Sequence, residues 1–174
     1  LDWRLNLNKD EANKAQLEKF VEFVNNNWKV KHLKVNAWAS PEGEENLNQT
    51  LSEKRGKSAE TYLTGLFKKL HKELKKSDET FDVAFEDFKP QFDITARGED
   101  WDGFETALEK SDLGDKDAIL NVIRSQPNRA KRQQEIRNMT VIYSEIEKLL
   151  EGLRRAELEL KCYDPKLTDE AIAE

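Results

Sequence analysis

Cysteine, histidine and glycine are scarce in this chain of 174 residues, and each scarcity removes a class of chemistry. A lone cysteine, Cys162, excludes an internal disulfide and any multi-thiolate metal site, and reads as a small buried hydrophobe. The two histidines are His32, inside an alternating stretch, and His71, on a lysine-rich helix end where a surface position is expected. Neither is placed as a catalytic base would be, and two distant imidazoles with one thiol do not make a zinc ligand set. The 7 glycines form no GxGxxG and no phosphate loop, so no cofactor is expected. No run of about 18 apolar residues exists, so nothing here is expected to span a bilayer as a helix. Acids outnumber bases, 35 to 29, and the resulting charge of −6 gives no global pull toward nucleic acid. The chain opens at Leu1 without Met, a charged n-region or an apolar h-region, as expected where a signal peptide or upstream domains have been removed.

What is present points to a folded α/β domain. Charged residues reach 37%, against roughly 25% in an average soluble protein, so a heavily solvated surface is expected. The 8 Phe, 4 Trp and 3 Tyr supply enough apolar area to oppose disorder. Trp3, Leu5 and Leu7 alternate with polar residues as in a short strand. Asn8 and Glu11 resemble a capping box before a helical stripe of Leu17, Phe20, Val21, Val24 and Trp28. From Val30 to Trp38 the period falls to two, which predicts a second strand. A long helical stripe follows through Leu51, Tyr62, Leu63, Leu66, Phe67, Leu70 and Leu74, with Lys68, Lys69, Lys72, Lys75 and Lys76 as its solvated end.

Phe81, Val83 and Phe85 alternate, as do Phe92, Ile94 and Ala96 beyond Pro90, so one or two strands are expected there. Short helices are expected from Trp101 onward, and the polar stretch from Gln126 to Thr140 fits helix and ordered loop equally. Ala156, Leu158, Leu160 and Cys162 then alternate as a closing strand. The order predicts a two-layer α/β sandwich, a small mixed sheet covered by helices, over residues 1–163, with a helical insertion at about 101–153 and a polar tail at 164–174.

Chemistry concentrates in one loop and the helix after it: Ala39-Ser40-Pro41-Glu42-Gly43, then Asn48, Leu51, Ser52 and Arg55. With Leu51 turned inward, Arg55 stays near the first turns and the loop, and its planar fork suits a carboxylate. The bland alternative has Arg55 pairing with Glu42, Glu44 or Glu45 while Asn48 caps the helix. A hydrolase using Glu42 or Glu99 as acid or base lacks a second group at recognisable spacing, so no enzyme is expected.

The strand through Ser40, then Gly43, Asn48, Leu51, Ser52 and Arg55, resembles the OmpA-like peptidoglycan-binding domain, whose pattern is T-D-x-x-G followed by N-x-x-L-S-x-x-R-A. Ala96-Arg97-Gly98-Glu99 is similar to its G-x-G-E segment, and Arg154-Arg155-Ala156-Glu157 to its closing N-R-R-V-E. The loop and the insertion resemble a divergent branch found in envelope proteins of Gram-negative bacteria. The resemblance implies a periplasmic domain that ties an outer-membrane-associated protein to the cell wall by gripping diaminopimelate of the stem peptide. By position, Arg55 is then the carboxylate clamp, Asn48 orders the loop or touches ligand, and Ser40 stands where the family has Asp. Leu51 and Glu42 complete the candidate ligand-binding set, Glu42 lying two residues beyond Ser40 along the loop as the acid offered in compensation for the missing Asp. The alternative is an envelope scaffold of the same fold that binds a protein partner through the insertion.

Overall fold

The computed structural model describes residues 11–25, 29–138 and 143–163. The strand expected over residues 2–7, the Asn8 cap, Trp28, the tail from Asp164 and the side chain of Cys162 lie outside them. The described residues form the expected α+β arrangement, a small mixed sheet covered by helices. In chain order the elements are α1 (Glu11–Asn25), β1 (Lys29–Ala39), α2 (Glu45–Ser77), α3 (Phe85–Phe88), β2 (Gln91–Glu99), α4 (Trp101–Lys110), α5 (Lys116–Ser125), α6 (Arg129–Asn138), α7 (Tyr143–Gly152) and β3 (Ala156–Tyr163).

The strand order is β2-β1-β3, which makes β1 the centre. Its period of two sets its burial: Leu33, Val35 and Ala37 are fully buried, while the intervening His32 and Lys34 keep solvent contact. Cross-strand pairs give the register. His32 faces Asp93 at 3.7 Å and Asn36 accepts from Arg97 at 3.1 Å, a constant offset that makes β2 parallel to β1, with α2 as the crossover. Lys34 faces Glu159 at 3.3 Å and the Trp38 N–H donates to the Arg155 carbonyl at 2.9 Å, so β3 is antiparallel.

Packing divides the chain into two compact units, one of Leu1–Val35, Lys57–Ile94 and Leu158–Glu174, the other of Asn36–Gly56 and Thr95–Glu157. In the first, Phe67 is buried with Leu33, Leu63 and Leu70, and meets Phe20 edge-on at 5.8 Å and Phe88 at 6.1 Å. The lysines at the end of α2 are exposed, as expected. The expected strand at Phe81–Phe85 is not formed. Phe81, Phe85 and Phe88 recur at helical steps, and all three rings pack on His71, which is buried rather than at the surface. His71 Nε2 bonds the Val83 carbonyl at 2.7 Å, which uses a backbone acceptor that a sheet ladder would need.

In the second unit, α4 to α7 enclose a core of Phe104, Leu108, Ile119, Leu120, Ile123, Ile136, Ile146, Leu150 and Leu153. Of the polar stretch from Gln126, residues 126–138 form a short loop and α6, which buries only Ile136, and Met139 and Thr140 lie outside the described residues. Asp100 caps α4 by accepting from the Gly103 N–H at 2.9 Å. No helix among the described residues is long and apolar enough to cross a membrane.

Gly65 lies exposed within α2, at an ordinary helical φ, and a Cβ there would meet nothing within 4 Å. Gly65→Ala is therefore expected to stabilise the protein by about 0.4–1 kcal/mol, whereas Phe67→Ala should remove about 3–5 kcal/mol. Urea denaturation of the two variants checks both signs.

Candidate functional site

Every residue of the candidate site belongs to the second unit. β1 ends at Ala39 and α2 begins at Glu45, so the chain turns through Ser40 to Glu44. Gly43 makes the turn at φ 86°, a backbone conformation that side chains with a Cβ rarely adopt. Asn48, buried in the first turns of α2, ties that loop down: its Nδ2 donates to the Glu42 carbonyl at 2.7 Å and to Glu99 Oε1 at 2.7 Å. Ser52 is fully buried and accepts from the Gly98 N–H at 3.2 Å, at a point where β2 takes a positive φ of 68°.

Leu51 turns into the core, which leaves Arg55 one helical turn further along α2 and only 8% exposed. Its Nη1 donates to the Trp38 carbonyl at 2.8 Å, at the end of β1. Among the described residues no carboxylate pairs with it, and the three acids that the bland alternative assigned to it are otherwise placed. Glu42 pairs with Arg154, Glu45 pairs with Arg129, and Glu44 is exposed. Burial, with the nearby charge of Arg154, lowers the pKa of Arg55 below the usual arginine value. The folded protein therefore holds a guanidinium whose charge it compensates poorly.

Ser40 is also buried, at 4% exposure. Its hydroxyl donates to Glu42 Oε1 at 3.1 Å and accepts from Arg154 Nε at 3.2 Å. The Glu42 carboxylate thus reaches back to Ser40, where the family pattern has Asp, but Arg154 Nη2 already occupies it. Arg55 and Arg154 thus stand as two guanidiniums beside the single carboxylate of Glu42.

Glu99 closes the arrangement from β2. Its side chain has no exposed surface and collects Asn48, Trp101 Nε1 at 2.9 Å, Arg129 Nε at 2.7 Å and Gln133 at 3.4 Å. Arg155 pairs with Asp100 and with Glu157 at 2.5 Å, and lies over the Trp38 ring at 4.6 Å. Burial opposes the charge of Arg155, yet its bonds to Asp100 and Glu157 outweigh that and raise its pKa. Pro41 and Glu42 also line, with Phe104, Gln133, Ile136, Arg137 and Leu150, a cavity of about 20 Å³, room for little more than one water; Arg55 is not among its walls.

The structure thus gathers Ser40, Glu42, Asn48 and Arg55 around one loop, with Leu51 as packing beneath them. Arg154, Arg129 and Gln133 join them although no site role was expected for them. The signal for α6 was the density of Arg and Gln between residues 126 and 140, and for Arg154 its place at the start of the closing strand. Comparison with family models, curated proteins and solved structures finds no match for this chain.

Two substitutions separate support from function. Glu99→Ala strips one acid from Asn48, Trp101 and Arg129 and should destabilise by about 2–4 kcal/mol. Arg55→Met, which removes a poorly compensated cation and one hydrogen bond, should melt within about 1 kcal/mol of wild type, as followed by circular dichroism.

Proposed function

We propose that this chain is a non-enzymatic cell-wall-binding domain of the periplasm, associated with the outer membrane, that takes the diaminopimelate of a peptidoglycan stem peptide on Arg55. The observation that carries this reading is the Arg55 guanidinium: buried, bonded to one backbone carbonyl, beside a second cation, and without an acid of its own among the described residues. Such a group gains from an anion brought in from outside, and a planar fork is suited to a carboxylate. The spacing of Gly43, Asn48, Leu51, Ser52 and Arg55, which resembles the OmpA-like domain, supports the choice of a wall peptide. Asn48, by holding the Glu42 carbonyl, keeps the loop in place for that contact.

A second reading, docking of a protein partner through α4 to α7, is favoured by the engagement of Glu42 with Arg154, which removes the free acid expected of a diaminopimelate site. Titration of a soluble muropeptide into the wild-type chain and into Arg55→Ala, followed by calorimetry, decides between them. Loss of a charge-assisted pair of about 1.5–3 kcal/mol corresponds to affinity falling by about tenfold or more in the variant. Equal binding by both proteins overturns the clamp, and absence of binding by wild type supports the scaffold.

A further inference from the structure

We infer that Arg55 receives a carboxylate alone, and that this site makes no use of the ammonium group beside it in diaminopimelate, so a wall peptide whose side amine is acylated is held as well as one whose amine is free. The inference rests on the cell-wall reading above and narrows its ligand.

A zwitterion needs an anion for its ammonium as well as a cation for its carboxylate. The position that the resemblance gives to that anion holds Ser40, an uncharged side chain whose hydroxyl both donates to Glu42 and accepts from Arg154. Glu42 brings a carboxylate to the same point, but with Arg154 already on it. For Glu42 to accept an ammonium it must release Arg154, leaving two guanidiniums near each other, one of them the buried Arg55, with no acid between them. The remaining acids nearby do not relieve this. Glu99 is enclosed by Asn48, Trp101, Arg129 and Gln133; Asp100 is held by Arg155; Glu45 is paired with Arg129; and Glu44 lies exposed to water.

Arg55, Arg154 and Glu42 together leave one positive charge in surplus. A single carboxylate cancels it, whereas an incoming ammonium adds to it. An acylated amine carries no charge and can still donate through its amide N–H.

The test is a titration of the isotopically labelled chain, read by amide chemical shifts, with free meso-diaminopimelate, with its N,N′-diacetyl derivative and with a soluble muropeptide. Wild type is expected to bind the diacetyl form, which keeps both carboxylates and carries no ammonium, at least as tightly as the free amine. Arg154→Gln, which frees Glu42, is expected to bind the free amine about tenfold or more tightly than the diacetyl form. A wild-type preference for the free amine of about tenfold or more overturns the inference while leaving the cell-wall reading standing. Binding of the small carboxylates at Arg55 without binding of muropeptide overturns the cell-wall reading and leaves the carboxylate site. Binding of none of the three overturns both. If Arg154→Gln does not fold, the wild-type ratio alone decides.

Discussion

A carboxylate with no exposed surface must gather donors, and the neighbourhood of the loop after β1 is organised by that requirement at Glu99. An unpaired anion there would be severely destabilising. It instead receives donors from α2 through Asn48, from α4 through Trp101 and from α6 through Arg129 and Gln133. One side chain at the end of β2 thereby fixes where several helices begin relative to the loop. Because Asn48 spends its other N–H on the Glu42 carbonyl, the same requirement reaches the loop backbone. A buried network of this kind holds only when every member has its partner, and no fully buried side-chain nitrogen or oxygen among the described residues lacks one.

Against that satisfied network, the charges at Ser40 stand out. Four of the eight arginines in this unit have acids, Arg124 between Glu105 and Glu109, Arg129 between Glu45 and Glu99, and Arg155 between Asp100 and Glu157 among them, while the more exposed Arg97 and Arg132 bond to Asn36 and to the Gln126 carbonyl. Arg154 has Glu42. Arg55, more buried than the others, has a carbonyl. Burial without a counter-charge works against stability, so the feature is the opposite of what packing alone would select. That contrast gives Arg55 its weight in the functional reading.

Much of this was legible in the residues because it follows from local periodicity. The alternation of Leu33, Val35 and Ala37 marks β1, and the stripe from Leu51 to Leu74 marks α2. The loop residues Ser40, Glu42 and Asn48 are near one another along the chain, so their convergence could be read directly. What could not be read depends on contacts across long separations. Phe81, Val83 and Phe85 alternate like a strand, but the buried His71 collects the rings of Phe81, Phe85 and Phe88 and the Val83 carbonyl, so residues 81–84 run as an irregular segment into the short α3. Likewise, nothing local indicates that Glu42 finds its cation at Arg154, on the far side of six helices in sequence, or that Arg129 finds its acid at Glu99.

The composition of α6 has one more consequence. Its ten residues bury only Ile136, and the helix is otherwise attached by Arg129, by Gln133 and by Arg132 lying 4.5 Å from the Trp101 ring. Electrolyte screens an ion pair according to its exposure, and the two acids on Arg129 differ in this: Glu45 faces water whereas Glu99 is wholly enclosed. Rising ionic strength therefore weakens the Glu45 arm first and leaves α6 moored through its enclosed end.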